Sequence, residues 1–167
     1  MDFESKIISR QIGDILYASG LTIGTAESCT GGRISEAIIA IPGSSDYYKG
    51  GVVAYTDEVK EKLLGVPHEI LEEKTAVSEE VAREMALGTI STIGVDFAIA
   101  STGFAGPGGG TSETPVGTIW LAYGNKDDIR TFKLTEDYGR DINLAIATNK
   151  AIRLMLDFLN DMDIKSE

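Results

Sequence analysis

The chain has 167 residues, and at about 150 residues per domain a single domain spanning 1–167 is expected. Hydrophobic residues make up 43% and charged residues 25%, which excludes disordered and fibrous classes. Acidic side chains outnumber basic ones 26 to 15, for a formal net charge of −11, and no Lys/Arg cluster stands out, so no nucleic-acid partner is expected. No apolar run approaches the ~18 residues of a membrane helix, and the opening MDFESKIISR is too polar for a signal peptide. One cysteine, Cys29, excludes an internal disulfide and fits a reducing compartment, so a cytoplasmic protein without a membrane partner is expected. One histidine and one cysteine cannot build a His/Cys zinc site, and the carboxylates show no ligand spacing; neither metal nor cofactor is expected.

Phe3, Ile7, Ile8, Ile12, Ile15 and Leu16 fall on one face of an amphipathic helix, which Gly20 ends. Leu21 to Ala26 reads as a short strand running into Glu27-Ser28-Cys29-Thr30-Gly31-Gly32. A second helix follows through Ile34, Ala37 and Ile38 and stops at Pro42-Gly43. Gly50 to Tyr55 is an apolar strand, followed by a helix carrying Val59, Leu63 and Leu64 that ends at Gly65. Pro67 to Glu72 is a candidate short helix. Ser78 with Glu79 and Glu80 opens a longer one that runs to Gly94. Val95 to Ser101 is a buried strand. After the loop GFAGPGGGTSET come strands Val116 to Tyr123 and Ile129 to Leu134, joined by a Gly124-Asn125 turn. A last helix spans about Gly139 to Leu159.

This order predicts an α/β fold, a three-layer α/β/α sandwich on a mixed, mostly parallel sheet. Ligands bind such sheets at the carboxyl ends of parallel strands. Three polar loops fall there: Glu27 to Gly32, Tyr55 to Lys60, and Thr102 to Gly110.

Ser28 sits on a sharp strand-to-helix passage, with Gly31 and Gly32 allowing a tight turn. It reads as a nucleophile aimed out of the sheet or as an N-cap serine, and spacing alone favours the cap. With a single histidine there is little room for a Ser-His-Asp triad, so its base would be a lysine or a carboxylate. Lys60 lies near the first turn of a helix, where unpaired amides disfavour a cation. Asp57 and Glu58 act in the opposite sense, and a solvated helix lysine is the plainer reading. The glycine-rich loop lacks the GK[ST] of a phosphate loop and precedes a strand, so it lines a pocket or simply connects. Arg140, at the start of the last helix, is an anion anchor or a surface arginine. His68 reads as a surface residue.

The strings TAESCTGG (Thr25 to Gly32), YTDEVKEKLLGV (Tyr55 to Val66), AVSEEVAREMA (Ala76 to Ala86), TGFAGPGGGTSETPVGTIW (Thr102 to Trp120) and the pair Gly139-Arg140 together resemble the CinA C-terminal domain family. The resemblance runs through nearly the whole chain in the right order. Enzymatic members of that family are nicotinamide mononucleotide deamidases. It implies an anticodon-binding-domain-like sandwich and metal-free hydrolysis of a carboxamide, with nicotinamide mononucleotide as substrate. Ser28 would then be the nucleophile, Lys60 its base, and Tyr55 a proton relay or amide holder, with Tyr55 or Glu27 next in line should Lys60 not be the base. Thr30, Gly31, Gly32, Thr102, Gly103, Gly106, Gly108 and Arg140 would bind substrate. One departure falls on the expected phosphate or ribose contacts: Asp141 follows Arg140 instead of preceding it, and Asn143-Leu144 stands where a further arginine is common. A homo-oligomer, a dimer as first guess, is the expected assembly.

Overall fold

The computed structural model describes residues 1–164. Helix α1 (Phe3–Ser19) is capped by Asp2, whose carboxylate accepts the Ser5 amide, and ends at Gly20 in the left-handed conformation. Strand β1 (Ile23–Glu27) leads through residues 28–32 into α2 (Arg33–Ile39). Strand β2 (Tyr48–Val53) is followed by α3 (Asp57–Leu64), α4 (His68–Lys74) and α5 (Glu79–Thr89), which widens into a π-helical turn over Ile90–Gly94. Then come β3 (Phe97–Gly103), β4 (Ile119–Asn125), β5 (Asp128–Leu134) and α6 (Arg140–Asp161). No helix among the described residues is long and apolar enough to cross a membrane.

The five strands form one sheet in the order β2-β1-β3-β4-β5. Pairs β1–β2 and β1–β3 are parallel, whereas β3–β4 and β4–β5 are antiparallel. The expectation of a mostly parallel sheet therefore holds for strand direction, since only β4 runs against the rest, but not for pairing, which divides evenly. The hairpin differs from the sequence reading as well. Asn125 pairs with Asp128, so Gly124 and Asn125 belong to β4 and the turn is Lys126-Asp127. The Asn125 side-chain oxygen accepts the Asp127 and Asp128 amides, the self-bonding that makes Asn a turn former without being a central turn residue.

Strand alternation sorts the core into two layers of unlike texture. Phe97 and Ile99 of β3, with Ile23, Ile119 and Leu121, pack against α1, α2 and α6. Ala98 and Ala100, with Ala26 and Ala122, face α3, α4 and α5. The small residues on that second face let α5 lie close to the sheet. β1, β2, β3 and β5 all point one way, so their carboxyl ends, and the N-terminus of α6 after β5, share one edge of the molecule.

Candidate active site

That edge carries a cavity of about 250 Å³ walled by the three loops singled out in the sequence. Ser28, Tyr55, Asp57, Lys60, Thr102, Gly103, Gly106, Gly108 and Arg140 all line it, together with Cys29 and Phe104. Sequence positions scattered from 28 to 140 thus meet in one place because parallel strands deliver their exits to the same side.

Ser28 follows β1 directly. Its amide donates to the Ser101 carbonyl at 2.9 Å, which extends the sheet pairing by one residue and pins the turn. Gly31 and Gly32 then take φ of 57° and 105°, the left-handed conformation that lets the chain fold back into α2. Ser28 is not the N-cap of α2; Gly32 is. Its Oγ instead receives a hydrogen bond from Lys60 Nζ at 3.0 Å.

Lys60 is 1% exposed, with Glu27 the most buried charged-type side chain among the described residues. Thr56 caps α3 by accepting the Val59 amide, which places Lys60 in the first turn and directs its stem inward. No ion pair among the described residues involves it. Burial lowers its pKa from the ordinary lysine value, and the nearby Asp57 carboxylate opposes that shift only in part. A buried lysine without a carboxylate, bonded to a serine hydroxyl, is set up to take a proton from that hydroxyl.

Glu27 is buried too but is fully used. Its oxygens accept Thr30 Oγ1 (2.7 Å), the Ile34 amide (2.8 Å), the Ser35 amide (3.0 Å) and Ser35 Oγ (2.7 Å). It caps α2 from the preceding strand, and this saturation removes it as a candidate base. Thr30 is buried, its hydroxyl shared between Glu27 (2.7 Å) and Ser101 Oγ (2.6 Å), and it is not among the residues that line the cavity. Gly31 and Gly32 shape the turn and likewise lie off the wall.

Tyr55 stands on the rim, 59% exposed, and its hydroxyl lies 3.4 Å from Arg140 Nη2; it makes no hydrogen bond to Ser28 or Lys60. Thr102 is buried, its hydroxyl donating to the Ala76 carbonyl at 2.7 Å. Cys29, next to Ser28, has its thiol pushed up to about 12 by burial, which makes it an inert hydrophobe. His68 sits on the surface between Glu61 and Glu72, each at 3.1 Å, and these carboxylates raise its pKa.

The glycine loop is held from α6. Arg140 Nη1 donates to the Gly106 carbonyl at 2.8 Å, and Asn143 Nδ2 to the Ala105 carbonyl at 3.1 Å. Asn143 also donates to Asp137 (2.9 Å) and accepts the Tyr138 amide (2.8 Å). Where the family pattern suggested an arginine, this chain therefore has a loop anchor. Sequence reasoning named Asp57 only for its charge beside Lys60 and gave Asn143 no part in holding the loop; the only signal for the latter was its place one turn after Arg140. Among the described residues the amides of Cys29, Gly106 and Gly108 have no protein oxygen acceptor, so donors remain around the cavity.

The family model described as the CinA C-terminal domain matches residues 5–159. The chain is 38% identical over 153 residues to a CinA-like protein of Cytophaga hutchinsonii, covering 92% of this chain and 37% of that one. It is 52% identical over 118 residues to a CinA-like protein of Synechocystis, covering 71% and 28%. The chain thus spans 37% and 28% of the length of these two curated relatives. Among solved structures, a competence/damage inducible protein from Agrobacterium tumefaciens superposes with a TM-score of 0.91 at 36% identity, covering 96% of this chain and 98% of that chain. A competence damage-inducible protein from Klebsiella pneumoniae gives 0.89 at 34%, with 93% and 97% covered. The chain belongs to the CinA C-terminal domain family.

Proposed function

We propose that this domain is a serine–lysine amidohydrolase that converts nicotinamide mononucleotide to nicotinate mononucleotide and ammonia. One observation carries the reading: Lys60, buried and free of any carboxylate partner, has the Ser28 hydroxyl as its hydrogen-bond partner at 3.0 Å. A structural lysine would be expected to reach solvent or an acid.

In the proposed reaction, neutral Lys60 takes the Ser28 proton as Oγ bonds to the carboxamide carbon. Free amides after Ser28 or in the glycine loop hold the resulting oxyanion, an effect of roughly 3 kcal/mol per donor in comparable sites. The Ser28 amide is not among them, because it is bound to Ser101. Lys60 returns its proton to the nitrogen, the C–N bond breaks and ammonia leaves. Water then adds to the acyl ester with Lys60 again as base, releasing the carboxylate and restoring the serine. Arg140, on the wall with no carboxylate partner among the described residues, supplies the positive charge an anionic nucleotide needs in a protein of net charge −11. Tyr55 acts with Arg140 at the rim, as their 3.4 Å approach favours, rather than as a relay to Lys60. A cytoplasmic setting suits the single reduced cysteine.

The test is ammonia release from nicotinamide mononucleotide, measured beside binding of the same nucleotide and with a chelator present. Turnover that survives chelation supports the reading. Binding without turnover would make the domain a nucleotide-binding module, and turnover only of other amides would make it an amidase of another substrate.

A further inference from the structure

Two opposite charges line the cavity that holds the catalytic pair. Asp57 opens α3 and Arg140 opens α6, and both line the cavity. The other basic group on the wall, Lys60, is driven toward its neutral form by burial, and the Cys29 thiol is held protonated. Asp57 and Arg140 therefore dominate the field that a ligand meets. Neither is in an ion pair among the described residues, and the Asp57 carboxylate makes no side-chain hydrogen bond there. An aspartate in the first turn of a helix is an ordinary favourable placement, but one in the wall of a cavity also acts on the cavity's occupant.

A nicotinamide nucleotide matches that field. Its ring, bonded to ribose through nitrogen, is a pyridinium cation, and its phosphate is an anion. Resting on the function proposed above, we propose that Asp57 selects cationic pyridinium carboxamides over the same nucleotide in its reduced, uncharged dihydropyridine form. The carboxylate attracts the ring while Arg140 takes the phosphate. A second effect follows from the same placement. Asp57 holds back the loss of the Lys60 proton in the empty site, and a cationic ring beside the carboxylate offsets that influence. The substrate's own charge then helps to free the base.

The experiment compares kcat/KM for oxidised and reduced nicotinamide mononucleotide in the wild-type chain, Asp57→Asn and Asp57→Glu. Taking the ratio between the two nucleotides within each protein cancels any general loss of activity. Asp57→Asn should lower the oxidised-to-reduced preference by about five- to tenfold, the size of one partly screened charge contact. Asp57→Glu should retain most of it, and the pH profile of Asp57→Asn should move to lower pH. A fall of twofold or more, with retention in Asp57→Glu, supports the role; a smaller fall, or an equal fall in both variants, overturns it. If the wild type releases ammonia from neither nucleotide, the proposed function fails instead, and the same ratio taken from dissociation constants still decides whether Asp57 selects the charged ring.

Discussion

Lys60 Nζ lies 3.0 Å from Ser28 Oγ across 32 residues of sequence, and each is the other's side-chain hydrogen-bond partner. Groups that act as one unit show non-additive losses. Ser28→Ala and Lys60→Met are each expected to cost about 10³ or more in kcat, and the double variant little beyond either. Lys60→Arg should not rescue, because a guanidinium does not give up its proton at working pH. Substantial activity in Lys60→Arg, or additive losses in the double variant, would remove Lys60 as the base.

Burial lowers the Lys60 pKa, so kcat/KM should rise with pH through an apparent value below the ~10.4 of a free lysine. The same shift acts on stability with a definite sign. Between the lowered folded value and the ordinary unfolded one, the unfolded chain binds the proton and the folded chain does not, so stability rises with pH there. Below the folded value the full cost of burying the charge is present. Lys60→Met should remove this dependence and raise stability near neutral pH by about 1 kcal/mol while abolishing activity. Chemical denaturation at several pH values would check it; a variant less stable than wild type at neutral pH contradicts the burial argument.

Arg140 reaches the Gly106 carbonyl and the Tyr55 hydroxyl but no carboxylate among the described residues. Arg140→Ala is expected to raise KM for the nucleotide by more than it changes kcat. Equal kinetic constants in variant and wild type would leave the helix and loop amides as the phosphate site.

Gly88 in α5 meets the backbone of α3: a Cβ built there would stand 1.9 Å from the Leu64 carbonyl oxygen. In an open helix, Gly→Ala stabilises by about 1 kcal/mol. Here the clash is with backbone at the end of the helix that carries Lys60. Gly88→Ala is expected to destabilise by about 2 kcal/mol, read from the denaturant midpoint. A stabilised variant would show that α3 and α5 are not in this close contact.

Cys29 adjoins the nucleophile in sequence, but its thiol is pushed up to about 12. Cys29→Ala should keep most activity, and alkylating reagents near neutral pH should leave the wild type active. Loss of activity in Cys29→Ala would reopen the choice of nucleophile.

Most of the fold was legible because its signals are local. Helical periodicity placed α1, turn glycines such as Gly20 and Gly65 marked helix ends, and Ser78 marked the start of α5, where its Oγ accepts the Val81 amide. The hairpin turn was misplaced by two residues because Gly124 looks like a turn glycine by itself. It is a β4 residue with φ of 142°, and a Cβ there would stand 2.0 Å from the Asp128 carbonyl oxygen, so its backbone conformation and its packing within the strand, not a place in the turn, call for the glycine.

Composition, periodicity and motif order by themselves determined the α/β class, the three loops and the family. They left Ser28 reading as a helix cap and Lys60 as an ordinary surface lysine, because solvation and hydrogen bonding depend on neighbours distant in the chain. Tertiary structure alone decided that Lys60 is buried against Ser28, that Glu27 and Thr30 belong to the α2 cap, and that Asn143 anchors the glycine loop. The physical reason is that a side chain's chemistry is set by what it meets after folding. Parallel strands bring residues 28, 60, 102 and 140 to one edge, and desolvation there converts common residue types into specialised ones.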